Sequence, residues 1–410
     1  MFEWTEEQEM VRQAVRQFVE KEIKPHLDDL EHGDLPPYDI LRKLYRTFGM
    51  DELARAGFEQ RLTGTRDVSE AGGGGGSGGG RGVGFTLIPI IELCRYCPGM
   101  VTAMGVSVGL TATAIMSRGT EAQKRRWALD LLTLDKVGAW AITEPNSGSD
   151  AFGSMRSTAR RDGDEYVLNG SKTFITNGPY ADTIVFICKL DDGSDPADRK
   201  VLSFVLDRGM PGLEQSRPLR KMGLHSSPTG ELFLADVRCG RDRLLGESEE
   251  LPGGGGARSG AKDTFSMERT GVAAMALGIV EQCLEQSVHY AKDRVQFGRP
   301  IGEFQLIQLK LAKMEVARMN IQNLVFRQIE MAAAGKPMSL AEASAGKLYA
   351  AQACMEVALE AVQLFGGNGY MAEFHVEQLC RDAKVLQIYA GTDEIQVSQI
   401  ARSLLAGASG

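Results

Sequence analysis

The sequence predicts a mostly helical α+β fold in three parts: helical, then β, then helical again. Apolar residues recur at helical spacing near the N-terminus and again beyond residue 264, whereas short apolar runs separated by turns occupy about 140–250. Glycine-rich segments lie before and after the β part. The 410 residues suffice for two or three domains. We therefore predict domains at 1–137, 138–250 and 251–410.

The N-terminal part begins with a helix predicted over about 5–30, which Pro25 should end or kink. A second helix should follow Pro37, and Thr120 should cap another. The almost pure glycine run at 71–80 is predicted to be a flexible loop, because it has no side chains to bury. A phosphate-binding glycine loop would require a strand before it and a helix start after it.

The central part carries strand-like runs rich in β-branched and aromatic residues. These runs occupy 166–170, 183–187, 202–206 and 231–234. Asn169-Gly170 is a dipeptide typical of two-residue hairpins, so it predicts a turn between Val167-Leu168 and a strand that begins at Lys172. The sequence thus predicts a β domain bounded at its end by a second glycine cluster, 252–256.

The C-terminal part shows long helical patterns at 264–294, 303–334, 339–366, 373–387 and 392–405. In the first of these helices one apolar stripe contains Phe265, Val272, Met275, Ile279 and Cys283. Glu268 lies on the same stripe, whereas Glu281 and Glu285 lie on the other side. An unpaired carboxylate on an apolar face is costly, which favours a functional role. A purely structural alternative is that the first turns of a helix favour acidic residues.

The overall composition is typical of a globular protein, with 43% hydrophobic and 24% charged residues. The net charge of -8 argues against nucleic acid or anionic membrane as the main partner. We find no apolar run of roughly 20 residues and no targeting segment, so we expect no membrane span and a cytoplasmic location. The seven cysteines suggest no disulfide framework, and Cys94 and Cys97 are interpreted as packing thiols, with no metal site.

Four motifs in one order resemble the acyl-CoA dehydrogenase family. They are 141–150, 172–178, 294–301 with Phe304-Gln305, and 363–370 followed by 388–396. The resemblance implies an N-terminal helical domain, a β-barrel-like middle domain and a C-terminal four-helix bundle. It also implies FAD-dependent α,β-dehydrogenation of an acyl-CoA thioester by a homo-oligomer, a tetramer or a dimer, which passes electrons to an electron-transferring flavoprotein.

The same resemblance implies an FAD site. An isoalloxazine ring needs hydroxyl and backbone donors beside an aromatic wall, and the Thr176 hydroxyl is expected near its N5. Arg294 is expected at the pyrophosphate, and the segment around Gly366-Gly367 is expected to reach the adenosine across a subunit interface. The full cofactor set is Trp140, Ile142, Thr143, Gly148, Ser149, Phe174, Thr176, Arg294, Gln296, Phe297, Phe304, Gln305, Gln363, Gly366, Gly367, Thr392 and Glu394.

The catalytic base is displaced relative to most of the family. Before Gly391-Thr392 stands Ala390, where most members carry the catalytic glutamate. The isovaleryl-CoA and long-chain branches carry the base in a Glu-Arg pair that matches Glu268-Arg269, so we predict Glu268 as the base. The Ala390 N–H is expected to bind the thioester carbonyl. The substrate-side set is Ser149, Arg269, Ala390, Gly391 and Arg402.

Two departures from the family pattern are visible. His225 stands where a basic residue, often arginine, is usual, and we assign it no role. The insertions at 71–84 and 252–260 have no counterpart, so substrate size stays open. Two other functions remain as alternatives: a flavin oxidase or monooxygenase of the same fold, and a non-catalytic homologue that binds an acyl thioester.

Overall fold

The computed structural model describes residues 3–62, 79–250, 257–336 and 338–407. It confirms the order of helices, β domain and helices. Residues 71–78 of the predicted flexible loop and the second glycine cluster, 252–256, lie outside the described residues.

The N-terminal part contains nine α-helices within the described ranges. They are α1 (Glu6–Phe18), α2 (Leu27–Glu31), α3 (Tyr38–Thr47), α4 (Met50–Leu62), α5 (Gly79–Cys94), α6 (Pro98–Met104), α7 (Thr113–Arg118), α8 (Glu121–Gln123) and α9 (Leu129–Leu132). Since α5 begins at Gly79, the prediction of a loop through residue 80 is wrong for Gly79 and Gly80. Burial of Leu87 and Ile88 stabilises this helix despite the low helix propensity of glycine.

The effects predicted for Pro25 and Thr120 in this part are confirmed. Pro25 lies in a 3-10 turn, Lys24–His26, which follows a π-helical segment after α1. Thr120 caps α8 in a reciprocal capping box with Gln123. The helical stretch Pro98–Arg118 has a mean hydropathy of 1.5 and is long and apolar enough to cross a membrane by length and composition alone, which corrects the expectation that no such run exists.

The middle domain is one seven-stranded sheet. Its strands are β1 (Gly138–Ala141), β2 (Thr158–Asp162), β3 (Glu165–Thr176), β4 (Thr183–Leu190), β5 (Val201–Asp207), β6 (Leu213–Gln215) and β7 (Thr229–Gly240). The order is β1-β4-β2-β3-β7-β6, and β5 pairs with β4. The β1–β4 and β2–β4 pairs are parallel and the remaining pairs are antiparallel.

The predicted hairpin at Asn169-Gly170 is wrong. Strand β3 runs straight through these residues, with a shift in its register against β7 between Leu168 and Gly170. A Cβ at Gly170, whose φ is +150°, would lie 2.2 Å from the Ser157 hydroxyl. The glycine therefore permits a β-bulge and a close contact rather than a turn.

The C-terminal part contains five long helices and one short hairpin within the described ranges. The helices are α10 (Ala257–Asp293), α11 (Gln305–Ala333), α12 (Leu340–Phe365), α13 (Val376–Val385) and α14 (Asp393–Gly407), and the hairpin pairs β8 (Val295–Gln296) with β9 (Arg299–Pro300). Helix α10 starts before the predicted residue 264, inside the proposed insertion at 252–260. From Val272 to Val280 every α10 side chain with a Cβ is buried, so the buried surface is wider than the predicted stripe.

The two helical parts share one hydrophobic core. Buried residues of α1, α3 and α5 pack in the same cluster as those of α10, α11 and α12. The sheet has its own core, and a third cluster, which includes Trp127 and Trp140, joins α7–α9 to the sheet. The three predicted segments therefore meet closely, and their junctions can form a site.

A group of buried ionisable residues lies where all three parts meet. Glu31 at the end of α2 lies 3.5 Å from the imidazole of His225, and Asp382 of α13 accepts the backbone N–H of Leu224 at 2.5 Å. Burial, then the negative charge of Asp382, raises the pKa of Glu31 to about 8. Burial also raises the pKa of Asp382. His225, to which no role was assigned, thus takes part in an interdomain contact.

We expect Glu31→Gln to remove a loss of stability at alkaline pH. The folded protein keeps a proton on Glu31 that the unfolded chain releases above its ordinary pKa of 4.5. The stability that this proton contributes is therefore fully present below about pH 4.5 and is lost as pH rises through about 8. Thermal unfolding midpoints should match at pH 5 and favour the variant at pH 8.5. A parallel pH dependence in both proteins would contradict this assignment.

Candidate active site

One wall of the candidate site forms where the segment after β1 meets β3. The Thr173 N–H donates to the Thr143 carbonyl at 3.0 Å. Beneath this contact the Lys172 ammonium, 0% exposed, donates to Glu144 at 2.8 Å and to the Ile142 carbonyl at 3.0 Å. Burial alone would raise the pKa of Glu144, yet Lys172 and two backbone N–H groups hold it below its ordinary value. The buried ion pair of Lys172 and Glu144, whose charges compensate each other, thus supports the wall.

The surface of this wall fits a flat aromatic cofactor. Phe174 has a φ of +56° and its side chain is 69% exposed, which is unusual for a large apolar residue in a sheet. Thr176 is half-buried, and Ser149 is exposed beside Gly148, where an added Cβ would meet no atom within 4 Å. Hydroxyl donors beside an exposed ring and open backbone are what an isoalloxazine edge and face require. The residues present therefore fit FAD.

Asn177 anchors this wall, and the sequence analysis did not identify it. It is fully buried with a φ of +64°. Its amide donates to the carbonyls of Ala103 and Gly138 at 2.9 and 2.8 Å and accepts from the Tyr38 hydroxyl at 2.9 Å. These bonds fix the turn that carries Phe174. An asparagine directly before a glycine was the available signal, because asparagine tolerates the left-handed region.

The candidate base lies on α10 in the C-terminal part. Glu268 is half-buried, and burial, opposed in part by Arg269, raises its pKa to about 7. Arg269 is 6% exposed, and its guanidinium donates to the Ser344 hydroxyl at 3.2 Å. The Tyr389 hydroxyl donates to the Met275 sulfur of the same helix at 3.2 Å. A Cβ added to Gly391 would lie 3.5 Å from the Arg269 guanidinium, so the residue next to Glu268 lies against the 388–392 segment.

The segment before α14 forms a strained loop. Ala390 and Gly391 have φ of +52° and +88°. Gln396 donates from its amide to the carbonyls of Ala390 and Gly391 at 3.0 and 2.8 Å. Lys347 of α12 donates to the Gly391 carbonyl at 2.9 Å. Two helices thus hold the backbone that was predicted to contact the thioester.

Helix α6 packs near both parts of the site. Tyr389 and Ala390 pack against the core cluster that contains Val101 and Ala103 of this helix. Ala103 also accepts the amide of Asn177 at 2.9 Å. One helix therefore contributes to the support of the Phe174 wall and of the 390 loop.

The remaining predicted cofactor residues form a separate, exposed group on the C-terminal bundle. Arg294 directly follows α10 and donates its N–H to the Tyr290 carbonyl at 2.9 Å. Tyr290 stacks on Phe365 with ring centroids 4.1 Å apart. This stacking places Arg294 near the Gly366-Gly367 end of α12. Its guanidinium makes no hydrogen bond or ion pair with the part of the chain that the structure describes. The exposed members are Arg294, Gln296, Phe297, Gln305, Gln363, Gly366 and Gly367, whereas Phe304 is half-buried.

Other predicted residues lie around the 390 loop or away from it. Thr392 accepts the Ile395 N–H at 3.4 Å and so begins α14. Glu394 and Arg402 are exposed on that helix. Trp140 and Ile142 are buried beneath the Phe174 wall. Within the described ranges no group of three metal-ligating side chains occurs.

The chain matches three family models. They are "Acyl-CoA dehydrogenase, N-terminal domain" at residues 5–135, "Acyl-CoA dehydrogenase, middle domain" at 139–237 and "Acyl-CoA dehydrogenase, C-terminal domain" at 255–405. Together the matches span nearly the whole chain.

Named relatives and solved structures agree with these family matches. The short-chain specific acyl-CoA dehydrogenase of Megasphaera elsdenii is 36% identical, with 98% of this chain and 99% of the relative covered. The butyryl-CoA dehydrogenase structure from the same organism shares 35% identity and a TM-score of 0.82, covering 99% and 100% of the two chains. A chain from a structure of the electron transferring flavoprotein of Acidaminococcus fermentans shares 34% identity and a TM-score of 0.81, with 99% of each covered.

Proposed function

This chain belongs to the acyl-CoA dehydrogenase family, and we propose that Glu268 is the base with which it oxidises an acyl thioester. It is an FAD-dependent acyl-CoA dehydrogenase, an oxidoreductase that acts on a CH–CH group. The observation that carries the assignment of the base is that Ala390 has no acid, whereas Arg269, the neighbour of a half-buried Glu268, lies against Gly391 of the same loop.

Glu268 would remove the α proton of the bound thioester. As this proton leaves, negative charge develops on the thioester carbonyl, and the Ala390 N–H is the donor we assign to it. Bound FAD supplies the oxidant that accepts the β hydride. The side chains of Phe174 and Thr176 would hold and orient the flavin ring, and the exposed Arg294 would meet its pyrophosphate. Exclusion of water by the bound substrate would raise the basicity of the Glu268 carboxylate and so favour its uptake of the α proton.

The reaction should become faster as pH rises through about 7. Burial raises the pKa of Glu268 to about 7, and only the ionised carboxylate can accept the proton. We therefore expect kcat/KM to rise about tenfold per pH unit well below pH 7 and to level off above it. Steady-state assays between pH 5.5 and 8.5 measure this. A profile that is flat across pH 7 would argue against Glu268.

The exposed C-terminal group supports a homo-oligomer, and we propose a tetramer rather than a dimer. Large apolar side chains are exposed there, among them Phe297 at 94%, Leu306 at 75% and Tyr370 at 80%. Such a surface is typical of a protein interface. In the assembly, Arg294 and Gly366-Gly367 would complete the FAD site of a neighbouring subunit.

We further propose an electron-transferring flavoprotein as the acceptor, since this chain is similar to a chain in a structure of such a flavoprotein. A cytoplasmic location fits the free thiols of the seven cysteines, which persist in a reducing compartment.

The acyl group is proposed to be short or branched, because the short-chain enzyme is a near relative and Ala390 leaves space where most of the family has a glutamate.

Anaerobic mixing of the FAD-loaded protein with a panel of short, branched and long acyl-CoA thioesters tests this proposal. Bleaching of the oxidised flavin absorbance by one class of thioester is expected. Oxygen consumption during turnover without another acceptor would indicate an oxidase instead. Flavin that stays oxidised with every thioester would indicate a non-catalytic binding protein.

A further inference from the structure

Helix α12 buries a charged side chain that the reaction described above does not use. Lys347 is 0% exposed, and Ala343 and Ala350 on the same face are also fully buried. A buried ammonium is unfavourable unless acceptors meet it. Here it donates to the Gly391 carbonyl at 2.9 Å and to the Asp393 carboxylate at 3.3 Å. A buried cation is thus directed at the backbone of the 390 loop.

The loop that Lys347 contacts requires external support. Ala390 is not a glycine, yet its φ is +52°, and Gly391 follows at +88°. An L-residue keeps such a conformation only where its surroundings fix it. Gln396 donates hydrogen bonds to the carbonyls of both residues, and Lys347 donates one to the Gly391 carbonyl. Without these donors Ala390 can relax to a negative φ, which turns its N–H to a new direction.

The same face of α12 also contacts the helix that carries the base. Ser344 lies three residues before Lys347, so their side chains share one face of the helix. Ser344 is 0% exposed and accepts the guanidinium of Arg269 at 3.2 Å. Arg269 is adjacent to Glu268. One face of α12 therefore contacts both the α10 segment at the base and the loop at Ala390.

We propose that Lys347 is a positioning residue that orients the Ala390 N–H toward the thioester carbonyl, while Ser344 on the same face of α12 fixes the position of the base-bearing segment. This inference rests on the proposed function. The relative placement of proton acceptor and carbonyl donor governs α-proton removal, because both must act on one thioester at once. Lys347 itself needs no contact with the substrate.

The test uses Lys347→Met, which keeps the length of the side chain and removes its hydrogen bonds. We expect flavin reduction by a saturated acyl-CoA to slow at least about tenfold, with KM changed by less than about threefold. A second readout is the ionisation of bound acetoacetyl-CoA, whose enolate needs the same carbonyl donor but no oxidation. Its apparent pKa on the protein should rise by about one unit, a tenfold loss of enolate stabilisation.

Two further variants separate positioning from folding. Lys189→Met removes a buried lysine that also donates to two backbone carbonyls, those of Gly153 and Pro196, within the β domain. It should lower the thermal midpoint and leave the ionisation of bound acetoacetyl-CoA unchanged. Gln396→Leu removes the other support of the same loop, so it should shift that ionisation in the same direction as Lys347→Met. If Lys347→Met does not fold, Gln396→Leu still tests the proposal.

The outcomes distinguish this inference from the proposed function. Wild-type rates of flavin reduction and wild-type ligand ionisation in both loop variants would overturn the positioning role. A wild-type protein that no acyl-CoA reduces would instead overturn the proposed function. Reduced rates in both loop variants with a raised apparent pKa of the bound ligand, together with an unaltered Lys189→Met ligand pKa, support the inference.

Discussion

Glu268→Gln should lower the rate of flavin reduction by acyl-CoA at least about a thousandfold, while the fold and the flavin content stay intact. A general base contributes about 10² to 10⁴ in rate, and glutamine has the shape of glutamate without its basicity. Ala390 offers no substitute base. The measurement is anaerobic stopped-flow of the FAD-loaded protein with the best thioester of the panel.

The matched control for this variant lies on the same helix. Glu285→Gln makes the same chemical change on α10, at a side chain that is 49% exposed and paired with Arg95. It should change the rate less than about twofold, because Glu285 is half-exposed and Arg95 keeps Glu281 as a second partner. Glu268→Gln should also be more stable than the wild type above pH 7, since the pKa of Glu268 is raised and its ionisation opposes folding there. Retained flavin reduction in Glu268→Gln would place the base elsewhere.

Lys172→Met should destabilise the protein by about 3–5 kcal/mol and weaken FAD binding. Lys172 is 0% exposed and Glu144 is 5% exposed, so removal of the ammonium leaves a buried carboxylate without its counter-ion. The loss should be smaller at pH 5 than at pH 7.5, because Glu144 without Lys172 can take up a proton. Urea unfolding at both pH values measures the free energy of unfolding.

A double variant separates charge from packing in this prediction. Glu144→Gln with Lys172→Met removes both charges, so it should be more stable than Lys172→Met alone. A loss below about 1 kcal/mol in the single variant would show that the ion pair does not support the flavin wall.

The sequence predicted the helices well where one signal dominated. Helix α3 begins directly after Pro37 and α8 is capped by Thr120, because these signals act within one turn. The turn predicted at Asn169-Gly170 is wrong because pairing of β3 with both β2 and β7 outweighs the local preference for a turn. The N-terminal residues of α5 are helical because tertiary packing overrides the propensity of glycine.

For the candidate site, the sequence indicated single residues but not the contacts that hold them. Glu268 was identified as an acid on an apolar helical face, and its raised pKa agrees with that interpretation. Applied to α12, the same criterion would have identified Lys347, which stands among buried alanines. The hydrogen bonds of Asn177 and Gln396 could not be predicted, because they join residues that only the folded chain brings together.

Exchange of the α proton with solvent tests the role of Glu268 most directly. A 3-thiaacyl-CoA carries sulfur in place of the β carbon, so it has no β hydride to transfer and reports on the base alone. In deuterium oxide, the FAD-loaded wild type should incorporate deuterium at the α carbon, as followed by mass spectrometry, and Glu285→Gln should do the same. Glu268→Gln should incorporate deuterium no faster than free ligand; incorporation at the wild-type rate would contradict the assignment of Glu268 as the base.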